Sequence, residues 1–311
     1  MKNILIGTLK RLLDAIPVLI GVVLLIFIML RIVPGDPVTT MLGEHVNEDV
    51  VKKMTAELGL DKPLYEQFFI YLKGLVTLDL GTSYTLKAPV SRLIGESFPA
   101  TLQLSLLAAL FAWIIGIFSG IIAAIHQNKI LDRLFMGFSL LGISMPVFMI
   151  ALLLQYFLAF KLKIFPISGY GSFLQLILPS IALGWNSAGS ISRLTRSNLI
   201  EVMQEDYIDT ARAKGLYKWK VILFHALRNS LLPVVTMMAI QLSSMLSGAV
   251  ITESVFGIGG IGQLAVNAIS CRDMPLLQGT VLFTTILVML GNLIADSLYA
   301  VLDPRIRKGA I

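Results

Sequence analysis

A chain of 311 residues that is 56% hydrophobic and only 14% charged falls well below the roughly 25% charge of a soluble globular domain, and it reads as an integral membrane protein. Its formal net charge of +6 comes from lysines and arginines that flank apolar runs, which assigns them to orientation in a lipid bilayer and not to nucleic acid. The single cysteine, Cys271, excludes an internal disulfide framework and any cysteine-rich metal or redox centre.

In chain order, Lys2, Lys10 and Arg11 precede an apolar run that superficially resembles a signal peptide. No small-residue cleavage pattern follows it; Arg31 and Val33-Pro34-Gly35-Asp36-Pro37 come instead, so residues 1–33 are read as a tail and a retained first span. A span needs about 20 mostly apolar residues. Six stretches meet or approach that, over residues 12–32, 101–125, 134–160, 173–191, 231–251 and 279–302. All are expected to be helical, because a lone strand leaves its backbone unsatisfied in lipid. With the amino terminus inside, the inner segments hold fifteen basic residues and the short outer loops hold three, Lys161, Lys163 and Arg272. That asymmetry places both termini in the cytoplasm.

The first loop, residues 34–98, is expected outside the cell. Asn47-Glu48-Asp49 offers a helix start and Gly59 a stop, which predicts a short helix over 48–58. A second is expected from Pro63, with Leu64, Phe68, Tyr71, Leu72 and Leu75 on one face. These helices either pack over the ends of the spans or form a docking surface or external gate. The remaining residues, 99–311, form a five-helix core.

Within the spans, Gly116 and Gly120 stand four apart, as do Ser243 and Ser247, and Ser244 and Gly248, the spacing of close helix crossings. Packing accounts for all of them, and Ser243, Ser244, Ser247 and Gly248 are also candidates to line a path. Pro146 is expected to kink the third span. Asp296 is the one ionisable group clearly at depth, with Arg305 and Arg307 of the tail as candidate partners.

The hydrophilic stretch 192–229 interrupts two apolar runs and carries seven of the 25 basic residues, which assigns it to the cytoplasm. Its centre, Asp209-Thr210-Ala211-Arg212-Ala213-Lys214-Gly215, has small residues and a glycine where an ordinary solvated helix has none. No phosphate-binding loop of the form Gly-x-x-x-x-Gly-Lys-Ser/Thr is present, and His45, His126 and His225 form no metal-ligand cluster. Uphill movement of a solute by this chain therefore needs work supplied by another subunit.

These residues resemble the permease subunits of ATP-binding-cassette importers, in the branch that serves dipeptides, oligopeptides and nickel. The family's cytoplasmic signature is Glu-Ala-Ala, three residues, Gly, nine residues, Ile, one residue, Leu-Pro. Asp209-Thr210-Ala211 stands for its start and Gly215 keeps its spacing, whereas Leu232-Pro233 comes five residues late. The string Ala211-Arg212-Ala213-Lys214-Gly215-Leu216, with His225-Ala226-Leu227-Arg228-Asn229 behind it, is similar to the form of that branch. So are Arg31 to Pro37, Leu80-Gly81-Thr82-Ser83, Glu253-Ser254-Val255-Phe256 and Asp303-Pro304-Arg305, with Gly259 standing where a proline is usual.

The resemblance implies an all-α membrane protein of six transmembrane helices with the type I-like importer permease fold. It also implies a short cytoplasmic coupling helix that inserts into a groove of an ATPase subunit. Ala211, Ala213 and Gly215 would allow close approach, Tyr207, Leu216 and Trp219 would anchor it, and Arg212 and Lys214 would face acidic groups on the partner. Asp209 and Thr210 complete the candidate coupling residues. For Lys218, Trp219 and Lys220 a helix resting on lipid headgroups is the competing reading. The implied partners are a second permease subunit, two ATP-binding subunits and an extracytoplasmic substrate-binding protein. ATP and magnesium are expected in the partner subunits, with no cofactor or metal held by this chain. Short peptides are the expected solute, with nickel or a metal chelate as the alternative. An ion-coupled secondary transporter or a membrane-embedded enzyme would show inverted repeats or convergent acids and bases that the sequence lacks.

Overall fold

The computed structural model describes residues 16–29, 32, 48–57, 59–247 and 249–302. Every regular element among them is helical, with one isolated antiparallel bridge between Thr82 and Pro89. The helices are α1 (Ile16–Met29), α2 (Glu48–Glu57), α3 (Leu64–Val76), α4 (Val90–Ile125), α5 (Ile130–Ser144) and α6 (Val147–Lys161). There follow α7 (Phe173–Val202), α8 (Asp206–Ala213), α9 (Lys218–Ser230), α10 (Leu232–Leu246), α11 (Val250–Phe256), α12 (Ile261–Ser270) and α13 (Met274–Leu302). The fold class is all-α, as expected from the sequence. Among the described residues, two helices are long and apolar enough to cross a membrane, Val90–Ile125 and Met274–Ala295. The number rises to four if each of two bent pairs counts as one span.

Two compact units emerge from the internal contacts, one drawn from Met1–Thr101 and Gly259–Leu287, the other from Leu102–Ile258 and Val288–Ile311. The expected boundary between residues 98 and 99 thus falls inside α4, and residues 259–287 cluster with the first unit and not with the expected core.

In the first unit, the start of α4 packs Val90 and Ile94 against Ile261, Leu264 and Ala268 of α12 and Leu276 and Leu277 of α13. Phe98 meets Phe283 edge-on at 5.2 Å between ring centroids. Buried Asp273 accepts hydrogen bonds from the Ser83 hydroxyl at 2.5 Å and from the Thr85 amide at 2.9 Å, and it caps α13 through the Leu276 amide. Ser83 of the Leu80-Gly81-Thr82-Ser83 motif is therefore a structural pin. The two loop helices form where expected: Gly59 adopts φ +66 after α2, and Pro63 precedes α3. Phe68, Tyr71, Leu72 and Leu75 are half-buried while Leu64 stays exposed, and Phe68 meets Phe27 of α1 edge-on at 5.1 Å.

The second unit is organised around α7. The buried face of α7 includes Ile191, Ser192, Thr195 and Leu199, and it lies against α4, where glycine leaves room. A Cβ on Gly116 would sit 2.7 Å from Ile191 Cγ2, and one on Gly120 would sit 2.6 Å from the Ser192 carbonyl oxygen. The Ser119 and Ser192 hydroxyls share a hydrogen bond at 2.8 Å across the same crossing. Residues 192–202 therefore continue α7 and bury one face, so the first third of the expected cytoplasmic loop is packed helix.

The apolar run 134–160 is interrupted more sharply than by a simple kink. It breaks between α5 and α6 with a bend of 110°. Met145, forced out of the helical region by the ring of Pro146, is extended at φ −85, ψ 133. Likewise the run 231–251 is not one helix: α10 ends at Leu246 and α11 starts separately at Val250. Asp296 lies in α13, but its side chain, Gly248, and the tail residues Arg305 and Arg307 lie outside the described residues.

Candidate functional site

The segment expected to meet an ATPase folds as a short helix on a tight base. After α7 ends at Val202, the chain turns through Met203, Gln204 and Glu205 and starts α8 at Asp206. Asp206 and Asp209 sit in the first turn and Arg212 in the last, each matching the sign of the nearby helix end. Gly215, at φ +77, stops the helix in a left-handed conformation that residues with a Cβ avoid.

Only one stripe of α8 is buried against its own chain. Ile208 is fully buried and Ala211 is 6% exposed. The two pack with Ala124 at the end of α4, Leu199 on α7, and Val221 and Ala226 on α9. Ala211, expected to allow approach by a partner, therefore serves approach to this chain's own core. Tyr207, Asp209, Thr210, Arg212, Ala213, Lys214, Gly215 and Leu216 are all exposed.

Arg212 reaches back to Asp209 at 2.9 Å, a surface pair that shapes the helix more than it stabilises it. Its second nitrogen donates to the Met203 carbonyl at 3.5 Å. The Thr210 hydroxyl donates to the Asp206 carbonyl at 3.1 Å. Asn229 donates from Nδ2 to the Tyr207 hydroxyl at 2.9 Å, which ties α8 to the far end of α9. Between these points, Val221–Ala226 winds as a π-helical segment, a geometry that tends to mark functional sites. Tyr217, Trp219, Leu223 and Phe224 stand exposed around the exit from α8, with Lys220 Nζ 5.5 Å from the centroid of the Trp219 ring.

A second node was not legible in the sequence. Arg196 forks onto Asp132 through two hydrogen bonds, Nε to Oδ1 at 2.6 Å and Nη2 to Oδ2 at 2.7 Å. Asp132, 3% exposed in the first turn of α5, also accepts from the Asn128 amide at 2.8 Å. Such a fork fixes geometry as well as charge. It clamps α5 to α7 in the part of α7 that leads down to α8. In the sequence Arg196 is one of the seven basic residues of the stretch 192–229, and Asp132 lies just ahead of the apolar run 134–160, so nothing local pairs them.

The candidate path residues separate. Ser243 is buried with its hydroxyl donated to the Ala239 carbonyl, and it faces Gly291 of α13, where any added Cβ would collide with it. It is a packing residue. Ser244 is exposed, and half-buried Ser247 donates back to the Ser244 carbonyl at 2.7 Å. The exposed residues of α8 and its surroundings offer a mechanical attachment: small, basic and aromatic groups on a helix whose opposite side is anchored in two directions.

The family described as "Binding-protein-dependent transport system inner membrane component" matches residues 116–308, and the family of its N-terminal part matches residues 4–105. The chain is 41% identical to the di/tripeptide transport system permease protein DppB of Pseudomonas aeruginosa, over 96% of this chain and 97% of that one. It is 38% identical to the dipeptide transport system permease protein DppB of Escherichia coli K12, over 96% and 98%. With the glutathione transport system permease protein GsiC of Escherichia coli it shares 40% identity, over 96% and 97%. Among solved structures, the inward-facing MetNI methionine ABC transporter is similar with a TM-score of 0.57 at 19% identity, covering 68% of this chain and 97% of that chain. That likeness concerns the fold alone.

Proposed function

We propose a function on one premise: the chain belongs to the family of binding-protein-dependent transport system inner membrane components. It is a permease subunit of an ATP-driven importer of short peptides, a multi-pass protein of the cytoplasmic membrane with both termini inside. The relatives' names, which speak of dipeptides, di/tripeptides and glutathione, favour peptides over nickel. ATP and magnesium bind in separate ATPase subunits. A second permease, most simply a different chain, completes the path, and an external binding protein delivers the solute.

The observation that carries the mechanism is the way α8 is held. Its outer side is free for a groove on the ATPase, while Ile208 and Ala211 press on Ala124 and Leu199, and Tyr207 is bonded to Asn229. A displacement of α8 is thereby passed to the inner ends of α4 and α7 and, through α9, to the 54° bend that leads into α10. ATP-driven closure of the motor would move these helices as packed bodies and turn the path outward, and hydrolysis would reset it.

The test is uptake by the complete importer in proteoliposomes. Labelled dipeptide should accumulate only with ATP and binding protein, and an excess of unlabelled dipeptide should block it while nickel does not. Accumulation driven by an ion gradient without ATP would point to a secondary transporter and overturn the reading.

A further inference from the structure

An open cleft of about 590 Å³ lies on the side of α7 opposite its buried face. Its walls are Met136 and Ile143 of α5 and Met237 of α10, and its floor is Ser190, Arg193 and Ser197 of α7. That volume lies in the range of small-molecule sites, about 300–1,000 Å³. Arg196 also reaches the cleft, but its guanidinium fork is occupied by Asp132. Arg193 is exposed and has no hydrogen-bond or ion-pair partner among the described residues, and no carboxylate lines the cleft. The cleft therefore presents one uncompensated planar cation between two hydroxyls, against thioether and aliphatic walls.

We infer that this cleft is a carboxylate-binding waypoint for the solute, with Arg193 receiving the C-terminal carboxylate of a peptide and the methionine and isoleucine walls receiving its side chains. The inference rests on the peptide-importer reading above. Two properties suit a point of passage. The fork of an arginine matches a carboxylate in a way that a lysine does not. A single partly solvated cation also binds weakly enough to let go, as conduction through a path requires. Because Asp132 takes up Arg196, the site holds one charge and not two, and a monoanion is not trapped.

The same chemistry would also bind the phosphate of an anionic lipid headgroup. The stripe on α7 argues for a watery path: Asn186, Ser190, Arg193 and Ser197 follow at helical spacing on one face. Correspondingly, α7 is not among the helices apolar enough to cross a membrane, despite its 30 residues.

The experiment compares wild type, Arg193→Gln and Arg193→Lys in the complete importer. The proteins are reconstituted into neutral phosphatidylcholine vesicles and into vesicles containing phosphatidylglycerol. Uptake of a labelled dipeptide and binding-protein-stimulated ATP hydrolysis are read together. Since Arg193 has no hydrogen-bond or ion-pair partner among the described residues, the glutamine variant breaks no internal polar contact there. It should keep ATP hydrolysis and lose about tenfold in uptake, the scale of one charge-assisted hydrogen bond, equally in both vesicle types. The lysine variant should recover part of that loss. Wild-type uptake by Arg193→Gln would overturn the inference. So would a deficit confined to phosphatidylglycerol vesicles, which would assign the site to a lipid headgroup, or a matching fall in ATP hydrolysis, which would make the defect one of coupling. Failure of the wild-type importer to take up any peptide would instead remove the peptide reading, and this inference with it.

Discussion

Asn229 and Tyr207 are joined by one hydrogen bond, 2.9 Å from Nδ2 to the phenolic oxygen, and through it the exposed helix α8 is fastened to the end of α9. Both residues are solvent-exposed, so the bond contributes at most about 1 kcal/mol to stability. Tyr207→Phe should accordingly leave the melting temperature unchanged while lowering the peptide taken up per ATP hydrolysed. Equal coupling ratios for Tyr207→Phe and wild type would show that force does not pass through this contact.

Asp132 and Arg196 behave differently, because the carboxylate is buried and the fork is complete. Asp132→Ala leaves Arg196 without its counter-charge. As Arg196 keeps some exposure, the expected loss is about 2 kcal/mol, below the full cost of breaking a buried pair. The apparent melting temperature in detergent should fall by several degrees. Arg196→Lys, which keeps the charge and loses the fork, should fall between that variant and wild type.

Gly215 separates two kinds of constraint. Its φ of +77 disfavours a Cβ, yet no atom of this chain lies within 4 Å of where one would stand. Asparagine tolerates this backbone, so Gly215→Asn should keep uptake within about twofold. Gly215→Glu should still insert and fold but abolish coupled uptake, because its side chain would project into the surface proposed to meet the ATPase. Normal uptake by Gly215→Glu would detach this turn from the coupling surface.

Gly120 at the α4–α7 crossing and Gly137 in α5 offer a contrast. Gly120→Val would drive a Cβ to 2.6 Å from Thr195 Cβ and the Ser192 carbonyl oxygen, an overpacking expected to cost about 1–3 kcal/mol. Gly137→Ala, with nothing within 4 Å, should be neutral or slightly stabilising. Thermal stability of the two purified variants in detergent checks the contrast.

What the sequence made legible was what local chemistry decides. Asn47-Glu48-Asp49 with Gly59, and Pro63 with its apolar stripe, led to α2 and α3 almost to the residue. The Gly116 and Gly120 spacing marked a close crossing without saying that Ile191, Ser192 and Thr195 lie on its other side. Charge assigned residues 192–229 as a block, but Ser192, Thr195 and Leu199 are buried because α7 continues past the apolar run and packs along α4. Hydropathy cannot see such a continuation, since small hydroxyls and one leucine per turn suffice to pack it. The 110° break at Met145 followed from Pro146 in kind but not in size. The Asp132–Arg196 fork spans 64 residues of sequence, and no local pattern announces its partner. In the candidate coupling site, Tyr207, Asp209, Thr210 and Arg212 to Leu216 are exposed, whereas the inward turn of Ala211 required knowing where Ala124 and Val221 stand.

The central claim, that α8 is held by an ATPase along its exposed side, is tested most directly by site-specific cross-linking in the complete importer with Cys271→Ser as background. Single cysteines at Ala213, Lys214 and Leu216 should cross-link to the ATPase subunit, with yields that change when ATP is added. Cysteines at the buried Ile208 and Ala211 should not cross-link. Cross-links from the two buried positions, or none from the three exposed ones, would contradict the account.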